Sequence, residues 1–277
     1  MITQGELDTL ANKYETEAFI NDDPISIPKR YNNKKDIEIA GFIASLVAYG
    51  RRDVFIKKLK QLMDIAQNEP YNFIINFEPK ILGNFNYRFG KPNDFAQIFE
   101  ILKNLYKNDG GLEELFKYGY NQNLQFTSPQ PSPKIGEGAV VSEPLANCTN
   151  AGEVKNMFVP VTDYFYSRAK NPDAMGFKFM IPDARKGSAM KRMCMYLRWM
   201  VRKGEVDFGI WDFMPASNLL IPLDTHVARI SRQMGLLKRN ANDFKSVVEL
   251  TEKLKQFDPI DPIRYDFAIF GYGVNNN

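Results

Sequence analysis

The chain has 277 residues, 44% of them hydrophobic, with a net charge of +3 and two cysteines, enough apolar content for one large core or for two smaller lobes that share a cleft. Charge breaks every apolar run before the roughly 20 residues of a spanning helix, and MITQGELDTLANKYETEAF has no basic region leading into a long apolar stretch, so no membrane segment or secretory leader is expected and the expected location is cytoplasmic. Cys148 and Cys194 are too few and too far apart for a disulfide framework, a four-cysteine zinc site or an iron–sulfur cluster, and neither a metal nor another cofactor is expected.

Residues 1–34 are predicted as one helix followed by the irregular stretch DDPISIPKRYNN, whose two prolines stop the helix. From Asp36 to Tyr49, DIEIAGFIASLVAY is apolar nearly all round, the pattern of a helix enclosed in a bundle. Gly50, Arg51 and Arg52 interrupt it, Asp53 is placed to cap the next helix, and Phe55, Leu59, Leu62 and Ala66 follow at helical spacing. After Asp94 a further apolar face runs through Phe95, Ile98, Phe99, Leu102, Leu105 and Tyr106. Residues 127–152, TSPQPSPKIGEGAVVSEPLANCTNAG, have no apolar period and read as an inserted mobile loop. Helical patterning resumes near Phe158 and dominates from Ser188. A stripe of Phe244, Val247, Val248, Thr251 and Leu254 ends at FDPIDP, and IRYDFAIFGYGV is apolar enough to be buried. No comparably long alternating pattern exists, so the fold class is all-α.

The net charge, with an isoelectric point near 8.6, permits nucleic-acid binding without requiring it. Basic residues are densest over 185–203: Arg185, Lys186, Lys191, Arg192, Arg198, Arg202 and Lys203. Such a cluster is either a solvated helix face or a phosphate-binding surface. In KGSAMKRMCMYLRWMVRK (186–203), Lys191, Met195 and Arg198 share a helix face, and a lysine there can meet phosphate or act as a nucleophile. In IPLDTHVARISRQMGLL (221–237), Pro222 enforces an extended approach, after which Asp224 or Thr225 stands where an N-cap would stand. Capping alone is a sufficient reason for such a carboxylate. His226, the only histidine, is expected to be packed or hydrogen-bonded.

PLDTHVARISRQMGLL resembles the stretch that presents the catalytic aspartate in the endonuclease III-like, helix-hairpin-helix DNA glycosylase superfamily. Gly187-Ser188-Ala189-Met190-Lys191 occupies the place of that superfamily's glycine-x-glycine-x-lysine hairpin, with Ala189 replacing the second glycine. DFAIFGYGV is similar to the apolar, glycine-containing helix that closes its common core, and IAGFIASLVAYGRRD resembles the helix and turn facing the gap left by an extruded base, without the usual glutamine. The long separation of Lys191 from Asp224 is similar to that in the archaeal 8-oxoguanine glycosylase branch. The whole resembles a bacterial branch and implies no particular lesion.

The resemblance implies a two-lobed helical bundle with a helix-hairpin-helix element and a cleft between the lobes. Lobe A is about 35–185, and lobe B is 1–34 with 186–277. It implies base-excision repair on double-stranded DNA, with Asp224 stabilising charge on the sugar and Lys191 as Schiff-base nucleophile of a lyase step. Lys186, Gly187, Ser188, Ala189, Arg51, Arg52 and Arg198 would contact DNA. Arg192 and Arg198 are the expected cationic neighbours of Lys191. Tyr196, Trp199, Trp211 and Phe213 are possible stacking surfaces on spacing alone, with core packing as the competing reading. Two other readings remain open: a non-catalytic nucleic-acid-binding module on the same fold, and a helical protein-interaction scaffold.

Overall fold

A computed structural model describes residues 2–125 and 154–275. Among these the chain is all-α, with short 3-10 turns, three isolated β-bridges and no strand. The predicted insertion 127–152 lies outside the described residues. No helix among them is long and apolar enough to cross a membrane.

The helices are α1 (Gln4–Tyr14), α2 (Lys34–Val47), α3 (Arg52–Ile65), α4 (Pro70–Ile75), α5 (Pro92–Asn108) and α6 (Leu112–Gln125). They continue as α7 (Phe158–Arg168), α8 (Met175–Met180), α9 (Lys191–Val201), α10 (Thr225–Gln233), α11 (Phe244–Lys255) and α12 (Tyr265–Asn275). Buried apolar residues from α1 through α12 form one continuous cluster. At its centre is α2, whose residues Ile37–Val47 are all buried, as a helix apolar on every face must be. Its one charged member there, Glu38, accepts hydrogen bonds from the Tyr106 hydroxyl (2.8 Å) and Trp211 Nε1 (2.9 Å), and burial pushes its carboxyl up. The ring of Tyr196 and the methyl of Met200 on α9 lie against Gly41 of α2.

Two features bring the chain's ends together. A Thr3–Glu6 capping box starts α1, whose Leu7, Ala11 and Tyr14 are buried, and α1 packs along α12. The glycines of α12 make that approach possible. A Cβ on Gly271 would run into the Tyr14 ring, and one on Gly273 into the His226 imidazole of α10.

One local prediction fails. Arg51, not Asp53, holds the N-cap position of α3; Asp53 lies inside the first turn, caps nothing with its side chain and pairs with Arg51 at 2.8 Å. The basic cluster over 185–203 is paired in part. Arg185 pairs with Asp163 and Asp183, while Arg202 is buried among Glu15, Asp207 and Asp261.

Candidate functional site

The segment before α10 is buried at Ile221 and Leu223, and Asp224 follows with extended backbone, φ −114° and ψ −177°. Its Oδ1 accepts the Val227 N–H at 2.8 Å, so the capping reading of this residue is correct. It leaves Oδ2 free for something else. That oxygen faces Lys191 Nζ at 2.9 Å, with each side chain about 30% exposed.

Lys191 is brought there by a compact hairpin. A 3-10 turn over Ala184–Lys186 ends at Gly187, whose φ of +75° is left-handed. Ser188 bridges to Asp243, and the Phe244 N–H donates to the Gly187 carbonyl at 3.0 Å, tying the hairpin to the start of α11. Met190, also left-handed at φ +51°, then turns the chain into α9 with Lys191 as its first residue. Two helix starts therefore converge, one carrying the ammonium and the other the carboxylate.

The pair lies in a pocket of about 810 Å³, within the usual range of about 300–1,000 Å³ for small-molecule sites. Charged groups on its wall include Asp23, Arg52, Arg192 and Asp266, and its rings include Tyr49, Phe179 and Phe270. Burial raises the Asp224 carboxyl, but the Lys191 charge and the Val227 amide outweigh burial and leave it below the usual carboxylate range. Asp266 goes the other way. Burial pushes it up to about 6 against the pull of Arg198, whose Nη1 donates to its Oδ2 at 2.6 Å, and the Asp224 charge adds to the rise. Burial likewise raises Asp23, which caps the Ile25 N–H at 3.1 Å. The pocket thus combines one carboxylate held below the usual range with two that burial raises. No group of three or more His, Cys, Asp or Glu among the described residues could hold a metal ion.

Of the residues singled out from sequence, Lys191, Asp224, Arg52, Ser188 and Ala189 line this pocket, as do Arg192, Arg198, Trp199 and His226. Lys186 is exposed and Gly187 half-buried on the hairpin beside it. Arg51 lies outside the lining with its side chain 80% exposed and paired to Asp53. Arg52 is half-buried, with its guanidinium over the Phe270 ring at 4.7 Å. Arg198 must be corrected. It is 1% exposed, bonded to Asp207 at 3.1 Å and to Asp266, and stacked over Phe267. A guanidinium so enclosed supports Asp266 from beneath and has no access to a phosphate backbone. Tyr196, Trp199 and Trp211 are core residues, and Phe213 packs against Trp211 and Tyr120. His226 is half-buried, with Nε2 3.3 Å from the Phe270 carbonyl oxygen.

Sequence reasoning missed Asp266, Asp23 and the Tyr49–Phe179 ring pair. Asp266 carries a usable signal, since a lone acid inside DFAIFGYGV is costly to bury without a partner. Tyr49 stands in the turn of IAGFIASLVAYGRRD that the resemblance had marked, whereas Asp23 and Phe179 carry no signal, because they reach the site from separate, unremarkable segments.

No curated protein and no solved structure matches the chain. Residues 23–275, nearly the whole chain, match the family described as "Protein of unknown function (DUF2400)", and the protein belongs to that family.

Proposed function

We propose that the protein is a DNA N-glycosylase with abasic-site lyase activity, acting on damaged bases in duplex DNA in the cytoplasm. One observation carries this reading: a lysine ammonium and an ionised aspartate 2.9 Å apart in a pocket of base-accommodating size. In this reading α8, the 184–190 hairpin and α9 form a helix-hairpin-helix element. Lobe A, about 35–185, supplies Tyr49, Arg52 and Phe179 to the pocket, and lobe B, 1–34 with 186–277, supplies Asp23, Lys191 and Asp224.

The chemistry follows from the charges. Breaking the glycosidic bond leaves positive charge on the sugar, and the Asp224 carboxylate, half-enclosed and fixed by Val227, is oriented before that charge appears. Lys191 must lose a proton before its nitrogen can attack C1′. Asp266 lies on the wall of the same pocket and, pushed up to about 6, is the carboxylate assigned to take the proton while Asp224 stays anionic. Attack on C1′ displaces the base; the new secondary ammonium gives up its extra proton, O4′ takes a proton as the sugar ring opens, and a protonated imine remains on Lys191. Removal of a C2′ proton then expels the 3′ phosphate. On the pocket wall and the hairpin beside it, Arg52 and the backbone amides of Lys186–Ala189 hold the DNA backbone without reading sequence.

A second reading has its own support. Asp224 is a satisfied N-cap and Lys191 a satisfied ion pair, which is all that a non-catalytic nucleic-acid-binding module would need. Borohydride trapping separates the two. The protein is incubated with duplexes bearing oxidised, alkylated, deaminated or abasic nucleotides, and a covalent adduct that disappears in Lys191→Ala is expected. Salt-dependent binding without adduct or base release on any duplex would favour the binding module, and no binding at low salt would remove DNA as a partner.

A further inference from the structure

Arg192 follows Lys191 on the pocket wall and differs from the other arginines there in what surrounds it. Its guanidinium carbon lies 4.4 Å from the Phe179 ring centre and 5.1 Å from that of Tyr49, and Nη1 donates to the Phe179 carbonyl. Those two rings contact each other with centres 4.6 Å apart. No carboxylate among the described residues pairs with Arg192, and Nε and Nη2 have no hydrogen-bond partner there. Arg198, by contrast, has Asp207 and Asp266. Aromatic faces hold a cation without cancelling its charge. Burial pushes the Tyr49 phenol up to about 12, so it stays neutral, and burial lowers Arg192 to about 10, so it stays charged at neutral pH. A half-buried cation with no carboxylate beside it among the described residues is costly, and an anionic ligand would relieve that cost.

We propose that this ligand is the departing base, and that Arg192, with two unclaimed donors in the pocket, stabilises the negative charge the base acquires as it leaves. The inference rests on the glycosylase reading. When the C1′–N bond breaks, its electron pair goes to the base nitrogen, C1′ gains its new bond from the Lys191 amine, and the base later takes a proton from water. The only group in this step that gains negative charge is the base. Arg52, against Phe270 on another part of the wall, is left for phosphate.

The test compares two bases of the same shape and different N–H acidity, uracil and 5-fluorouracil, or the corresponding pair within whichever base class the wild type releases. Single-turnover base release is measured for wild type, Arg192→Gln and Arg192→Lys. Losing a donor that acts only in the transition state costs about 100-fold, so Arg192→Gln should slow the less acidic base by about that factor and the more acidic base clearly less. Arg192→Lys should recover part of the loss. Circular dichroism melting shows that the variants fold, and trapping on a preformed abasic duplex, where no base departs, should fall clearly less than release of the less acidic base. Equal slowing of both bases, or equal loss in abasic trapping, overturns the proposal. So does an unchanged rate ratio combined with a salt slope of duplex binding lower by about one, which would make Arg192 a phosphate contact. If wild type releases no base at all, the glycosylase reading falls and takes this one with it; release with an unaltered ratio in Arg192→Gln overturns only this one.

Discussion

Replacing Asp224 by asparagine separates chemistry from stability at one position. Asparagine caps a helix about as well as aspartate, so the bond from the Val227 N–H survives and only the charge is lost. The ion pair to Lys191 joins side chains that are each about 30% exposed, and such pairs contribute about 1 kcal/mol or less. For a chain of this size that is a fall in melting temperature of about 2–4 °C at most. The effect on catalysis is much larger. A carboxylate about 4 Å from a developing sugar cation, at an effective dielectric near 20, is worth about 4 kcal/mol, or about a thousandfold in rate. Asp224→Asn should therefore melt nearly like wild type while base release under single-turnover conditions falls about a thousandfold. Asp224→Ala should add a cap loss of about 1 kcal/mol. Circular dichroism melting and base release on the same preparations make the comparison. Activity of Asp224→Asn within tenfold of wild type, or a loss matched by unfolding, would refute the electrostatic role.

Four further outcomes are expected. If Asp266 receives the Lys191 proton, trapping on an abasic duplex rises with pH through about 6 and then levels, and Asp266→Asn loses that limb and is slow throughout; a limb that persists in the variant excludes the role. The same raised carboxyl means that the folded chain binds this proton more tightly than the unfolded one, so its stabilising contribution is complete below the ordinary value of 3.8 and is lost as pH rises through about 6. Arg198→Leu leaves the buried Asp266 without its cation, while Asp207 keeps Arg202, and should destabilise by about 3–5 kcal/mol; a variant that melts like wild type and loses only DNA affinity would restore Arg198 as a backbone contact. Arg52→Ala should lower the salt slope of duplex binding by about one, whereas Arg51→Ala, which removes a guanidinium already held by Asp53, should change it less; the reverse order in a salt titration would move the DNA track off the pocket.

Much of the scaffold was legible in local patterning. The all-round apolarity of 36–49 required an enclosed helix, and α2 is one. Pro222 and the polar pair after it marked the start of α10, and Asp224 caps it. The glycine and the lysine four residues on marked a turn into a helix, and Lys191 opens α9. These features depend on backbone geometry and hydrogen bonds that close within one or two turns, so the residues that decide them are neighbours in the chain.

The electrostatics of the site were another matter. Helical spacing placed Lys191 and Arg198 on one face correctly, since both line the pocket, but it could not show that Arg198 is consumed by Asp207 and by Asp266, 68 positions away. It also could not show that Arg192 is held by rings from 49 and 179 and has no carboxylate, or that Asp23 turns towards the same space. Asp266 was hidden in an apolar run whose hydrophobicity was read correctly and whose single charge was passed over. Whether a charge is spent or available depends on burial and on the sign of its neighbours, and in this protein those neighbours come from segments that only folding brings together.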